Sequence, residues 1–538
     1  MGVSASKFID ALSKLNLKSM FGTELLRKSL FNLADDHVFL NQGAYGASFK
    51  PSIEASNEWR LYAEQRPRKF FDDELPKLML YLEKFFAYYM FHCDAEELAL
   101  VDNVTFAFGS ILKSIYLGED HNILCFSTTY QAYKSYIDEE CAARGAKAIV
   151  MDIEFPLKSE RDVEEKIVLK LYNDYLTDHT IKYLLIDMVP SFPTFLMPVK
   201  RIVDLCKYKR PDIIVIVDAA HCFGSVKNFH FGDHGILSRG IDLLVTNCHK
   251  WFGAAKGTGF IFRNKTLSND CAKFNICHLS KQLLDLKPAV RSVNIGKGFH
   301  GEFNWLGLKD YSSLLSLLTT YYVWKDLLGG VDHVVDYSQS LCQRAARHLS
   351  AKWNTDLLID DSLCTTLACI RLPDKFVRQV VLQYLYNKPN PSSKQLSFIA
   401  LLQDLDSHIK YDQAIEEIIG DELRDKYKIE VQIKMSKPGP RKSSKVYVRI
   451  SASIFNYWDE YVYLGDCVVD YMDKFPNKMA TSATTTTVKR PRAPAPTMST
   501  SVTPSQTIKS DINSLSSYQK SYSSKSTYKQ IVNHPLFR

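Results

Sequence analysis

Residues 213–221 read IIVIVDAAH and residues 242–251 read DLLVTNCHKW. Each is a short run of Ile, Val and Leu that ends abruptly in polar, chemically capable side chains. Asp218 and His221 follow the first run; Asn247, His249 and Lys250 follow the second. Continuous apolar runs of this length, without alternation, predict strands buried on both faces. Working outward, ILCFS (123–127), AIVMDI (148–153) and YLLIDMV (183–189) have the same character. Helix-length segments at 130–143, 159–175 and 197–208 lie between several of them. Strands alternating with helices predict a large, mostly parallel sheet covered on both sides, the α/β class.

Beyond about residue 305 the pattern changes. Two long amphipathic helices (309–328 and 331–351) precede the strand CTTLACIRL, a helical stretch and a last strand VYVRIS, which predicts a smaller α+β domain. The expected division is an N-terminal helical segment (1–36), a large α/β domain (37–305), a C-terminal small domain (306–477) and a tail (478–538). The tail is Ser-, Thr- and Pro-rich with little to bury, so it is expected to be disordered.

Charge separates along the same line. The 538-residue chain carries 67 basic and 60 acidic residues, a net +7. From Lys478 onward there are nine basic residues against Asp511 alone, which leaves 58 against 59 in the rest. The body is therefore near neutral and the tail is +8, so no nucleic-acid partner is expected of the body. No apolar run approaches the roughly 18–20 residues of a membrane span. Twelve cysteines stand singly with no C-x-x-C pair, which predicts reduced, buried thiols, a cytoplasmic setting and no metal centre. The N-terminus matches M-G-x-x-x-[ST] with Gly2 and Ser6, a candidate acylation site. With the basic tail, an acylated Gly2 would give a weak peripheral membrane contact.

Open α/β sheets bind ligands beyond the carboxyl ends of their strands. The residues there form a coherent set. VDNVTFAFGSIL (101–112) starts a helix at Val104 and Thr105, whose amides and hydroxyl suit a phosphate. Asp218 is a carboxylate at the end of a buried strand, and Lys250 an amine in a similar place.

Together with FLNQGAYGASFKP, VDAAHCFG, TNCHKWFGAAKGTGFIF, GLKDYSSLL and VRISASIFNYWDEY, these pieces resemble the class V aminotransferase family of fold-type I pyridoxal phosphate (PLP) enzymes. The nearest branch is the isopenicillin N epimerase-like and sulfoxide lyase-like one. The resemblance spans most of 37–470 and implies PLP as cofactor. It makes Lys250 the residue of the internal aldimine, Asp218 the partner of the ring nitrogen and His221 that of the ring hydroxyl. Val104, Thr105, Asn247 and His249 would hold the phosphate. The ring-stacking place falls on Thr128, with Tyr130 as an alternative. Arg449 would clamp the substrate carboxylate, with Asn41 and Gly43 lining its pocket.

The resemblance further implies an amino-acid substrate and a homodimer. The expected reaction is C–S cleavage of a sulfur-containing amino acid; transamination, epimerisation and a drifted scaffold are the alternatives. Three departures stand out. Leu308 replaces a threonine that in the family crosses the dimer interface, Ala107 replaces a glycine, and Ser191-Phe192-Pro193-Thr194 replaces S-x-T-G. The loop before Arg449, KIEVQIKMSKPGPRKSSKVYV, lacks the mobile cysteine of persulfide-forming desulfurases, so direct release of the sulfur product is expected. The Gly-rich stretches GAAKGTG (253–259) and GKGFHG (296–301) are read as turns.

Overall fold

A computed structural model describes residues 9–265, 285–386, 412–436 and 445–478. Gly2 and the segment 479–538 lie outside the described residues.

The described residues build twelve strands. They are β1 (Val38–Phe39), β2 (Leu98–Val101), β3 (Asn122–Phe126), β4 (Ala148–Met151), β5 (Ile181–Asp187) and β6 (Ile214–Asp218). Then come β7 (Leu243–Asn247), β8 (Gly259–Arg263), β9 (Leu367–Arg371), β10 (Ile429–Glu430), β11 (Gln432–Met435) and β12 (Val446–Ser451). Seven of them form one sheet in the order β2-β8-β7-β6-β5-β3-β4. Only β8 runs against its neighbours; β3, β4, β5, β6 and β7 pair in parallel.

Residues alternate between two cores along each strand. Tyr183, Leu185, Ile214 and Ile216 face a layer built with the helices Val104–Ser114 and Gln131–Arg144, while Leu184, Ile186, Val215 and Val217 face the larger core. Burial on both faces is why these strands read as unbroken apolar runs.

The small domain is an antiparallel sheet, β11-β12-β9, packed on the helices Val331–Trp353 and Trp458–Lys478. The N-terminal part of the chain contacts this domain on both sides of residue 37. β1 pairs with β10, and the buried Arg27 guanidinium meets Glu460 at 2.9 Å. The single helix expected over 309–328 is broken at Ser316 into Ser312–Leu315 and Leu317–Tyr322, followed by a wider turn, Val323–Leu328. The stretch GKGFHG is not simply a turn: it opens the helix Gly298–Asn304, with Gly298 at φ 77° as the entry residue. Among the described residues no helix is long and apolar enough to cross a membrane.

Candidate active site

Asp218 closes β6 and is 6% exposed. The Ala220 N–H donates to its Oδ1 at 2.8 Å, and its other oxygen accepts no bond among the described residues. Burial pushes its carboxyl up, against the pull of the nearby Lys250 ammonium. His221 is buried three residues on, and the Trp251 indole N–H donates to its Nδ1 at 3.4 Å. Burial, with Lys250 and Arg449 nearby, holds this imidazole far below its usual range. The ring is neutral and carries its proton on Nε2, free to donate to a hydroxyl oxygen.

Lys250 lies three residues past the end of β7. Its Nζ makes no hydrogen bond among the described residues, and burial lowers the amine to about 8 although Asp218 opposes the shift. The Lys250 carbonyl accepts from Gln42 Nε2 at 2.7 Å. Gln42 also receives the Ala47 N–H on its Oε1 and gives its backbone N–H to Ser451 Oγ on β12, so one residue stitches three segments together. Gly46, at φ 73°, has no room for a side chain: a Cβ there would lie 2.3–2.6 Å from the backbone of His249 and Lys250.

The anion cup is narrower than the sequence suggests. The Val104 N–H is taken by Asn247 Oδ1 at 3.1 Å, and the Phe106 N–H by Asn103 Oδ1 at 2.8 Å. The Thr105 amide and exposed hydroxyl remain, together with the amide end of Asn247. His249, lowered to about 4 by burial, meets both the Thr258 carbonyl (2.9 Å) and the Thr258 N–H (3.3 Å) at Nδ1. Nδ1 serves only one of the two: donating to the nearer carbonyl leaves Nε2 an acceptor, and accepting the N–H leaves Nε2–H a donor.

Arg449, on β12, is 2% exposed and has no carboxylate partner among the described residues. Its Nη1 donates to the Ser191 carbonyl (3.1 Å) and Oγ (2.8 Å), its Nη2 reaches Asn41 Oδ1 at 3.5 Å, and its buried Nε is bonded to nothing. Burial lowers it to about 10. A buried cation lacking a counter-charge, beside Asn41, is what a substrate carboxylate would complete. Gly43 lies on the other side: a Cβ there would approach Leu367 at 3.0 Å and His221 at 3.5 Å.

The stacking position is where the site departs most. Thr128 is buried with its Oγ1 unbonded, and it has no aromatic face. Tyr130 is 48% exposed, and its ring sits edge-on to Tyr133 at 5.6 Å.

Three residues that the sequence did not single out complete the site, Gln42, Trp251 and Asp187, together with Ser191, which stood out only as a departure. Asp187 closes β5 as Asp218 closes β6, so an Asp ending a buried apolar run was a readable signal. Gln42 and Ser191 depend on contacts between segments hundreds of residues apart, and Trp251 on one with His221, 30 residues before it.

The donor set fits PLP. It has a buried carboxylate with a free oxygen for the ring nitrogen, a neutral imidazole for the ring hydroxyl, an uncommitted amine and a small anion cup.

No family model matches the chain. The L-cysteine desulfhydrase of Arabidopsis thaliana is 26% identical over 344 residues, 62% of this chain and 71% of the relative. A probable chloroplastic L-cysteine desulfhydrase from the same plant is 22% identical over 80% of this chain and 82% of its own. The hercynylcysteine sulfoxide lyase of Schizosaccharomyces pombe is 21% identical over 44% and 56%. Among solved structures, a cystine C–S lyase in complex with its product cysteine persulfide superposes with a TM-score of 0.57 at 14% identity. It covers 81% of this chain and 98% of that one. A cysteine desulfurase from Escherichia coli gives 0.53 at 12% identity, covering 83% and 97%. The chain has the fold of these enzymes.

Proposed function

We propose that this chain, which belongs with the class V aminotransferase family of fold-type I PLP enzymes, cleaves the C–S bond of a cysteine-like amino acid. The observation that carries the reading is Arg449: a guanidinium buried without a counter-charge, within the electrostatic reach of the Lys250 amine. That pair would hold an α-carboxylate at one point and meet the Cα proton at the other. The desulfhydrase names of the relatives favour C–S cleavage over transamination or epimerisation.

When bound, PLP supplies an electron sink that acidifies the substrate Cα–H and lets the β-sulfur leave. Asp218 would hold the ring nitrogen, His221 the ring hydroxyl, and Thr105, Asn247 and His249 the phosphate. Arg449, braced by Ser191, would orient the substrate carboxylate. An amine near 8 is partly neutral at working pH, so Lys250 Nζ would take the Cα proton as general base.

All ten described cysteines are free, and burial raises every one of their thiols. Poor nucleophiles of this kind support direct release of the sulfur product, and free thiols support a reducing compartment such as the cytoplasm. The working form is a homodimer.

Incubating the protein with PLP should give a visible absorption band that is absent from Lys250→Ala, and sulfide should be released from cysteine by the wild type alone. A wild type that takes up PLP but releases no sulfide from cysteine or cystine would sink the C–S lyase assignment. One that shows no visible band would sink the cofactor reading itself.

A further inference from the structure

Asp187 is the second buried carboxylate of the site, and nothing in the proposed reaction uses it. It ends β5 directly opposite Asp218, the two being register partners on adjacent parallel strands. Neighbouring strands lie about 4.8 Å apart, and partnered residues project from the same face. The residue parity agrees: Asp187 follows Tyr183 and Leu185, Asp218 follows Ile214 and Ile216, and all four apolar residues face the helices Val104–Ser114 and Gln131–Arg144. Asp187 is 3% exposed. Its Oδ1 accepts the Tyr130 N–H at 3.4 Å, while its Oδ2 is buried with no partner.

We infer that Asp187 and Asp218 form a carboxylate pair sharing one proton, carried by Asp187, and that Asp187 is thereby a positioning residue for the carboxylate that meets the cofactor nitrogen. Two like charges this close in a dry site do not both ionise. The neighbours decide which of them keeps the proton. Asp218 has the Lys250 amine beside it, which favours its charge. Asp187 faces Asp218 itself from β6, Cys125 from β3, Tyr130, Tyr133 and Lys134 from the helix after β3, and Cys222 from the turn after β6. Of these only Lys134 is cationic, and its Nζ is spent on the Ser127 carbonyl. Burial and the Asp218 charge together hold the Asp187 carboxyl well above its usual range, against the pull of the Thr129 hydroxyl and the Tyr130 N–H, which favour its charge. A neutral Asp187 confines the site to one negative charge, placed on Asp218. That consequence rests on the PLP reading, but the pair itself does not.

The test uses the full chain without PLP. Infrared spectra at pH 6 should show the carbonyl stretch of a buried protonated carboxyl that disappears in Asp187→Asn. In Asp218→Asn, where the like charge is gone, the same carboxyl should titrate at least about one pH unit lower. The native state then holds a proton that the unfolded chain releases near pH 4. The stability it contributes is therefore lost as pH rises from there toward the folded midpoint. Relative to Asp187→Asn, the wild-type folding constant should fall by up to about tenfold per pH unit across that window. Absence of the band from the wild type, its persistence in Asp187→Asn, or an unmoved midpoint in Asp218→Asn would overturn the pair. Neither readout needs the cofactor. A failure of the PLP reading would instead appear as a missing visible band with these results intact.

Discussion

At the scale of single residues, Arg449 is a buried cation whose cost to stability the proposed function would explain. A guanidinium taken out of water without a counter-charge is unfavourable by several kcal/mol, and its unbonded Nε adds to that. The protein tolerates this because Ser191 and Asn41 hold the fork open toward the site. Arg449→Met should therefore raise the denaturation midpoint of the PLP-free protein, by roughly 1–3 kcal/mol. The same change removes two charge-assisted hydrogen bonds to the substrate, so KM for cysteine should rise on the order of a hundredfold while the visible cofactor band persists. Thermal melts beside steady-state kinetics check both halves; a destabilised variant would show that the buried charge has an internal partner after all. The placement of several candidate residues at this scale was legible beforehand. Lys250, Asp218 and His221 stand where apolar runs stop, which is where an open sheet exposes its ligand edge. The Val104 amide was not, because the side chain that occupies it, Asn247, comes from 143 residues further along the chain.

At the scale of elements, legibility followed burial. The inner parallel strands β3, β5, β6 and β7 announce themselves because both faces are covered, whereas β4, at the sheet edge with Val150 42% exposed, is apolar without being buried on both faces. β2 and β8 do not announce themselves, although they are as long as β4 and β6: β8 emerges from a turn with Gly253 and Gly257 at positive φ. Nor does the sequence near residue 27 say that this segment crosses to the C-terminal domain. There the buried Arg27–Glu460 pair acts as a clasp. Arg27 Nη2 also donates to the Ala34 and His37 carbonyls, while Asn456 and the Tyr457 N–H donate to Glu460 Oε2. Removing one partner of such a pair leaves the other charge buried alone, which costs about 3–5 kcal/mol, whereas replacing both with apolar groups is near neutral. Arg27→Met should lower the urea midpoint by that amount, and Arg27→Met with Glu460→Leu should recover most of it. A single variant within about 1 kcal/mol of wild type would mean that solvent reaches the clasp.

At the scale of the whole molecule, the surface around the site is unfinished. Between Val290 and Leu308, four apolar side chains are more than half exposed: Val290, Val293, Ile295 and Leu308, the last at 77%. The loop that carries the first three is held to the following helix by Asn294 Nδ2 to the Gly301 carbonyl and by the Gly296 N–H to Glu302, both at 2.9 Å. The apolar groups are thus presented outward by a fixed frame. A monomer rarely leaves such a set on one segment, and a second copy is the simplest cover. Leu308 stands where the resemblance would put a threonine reaching across a dimer interface. A leucine there contributes buried area to an interface but no hydrogen bond to a phosphate. Sedimentation equilibrium at micromolar concentration should therefore return twice the 61.5 kDa chain mass. Val293→Glu with Leu308→Glu should shift it toward the monomer, because each buried carboxylate would lack a partner. If dimerisation completes the site, PLP affinity should fall in the same variant. A wild type sedimenting as a monomer would leave the exposed segment without its cover and refute the dimer.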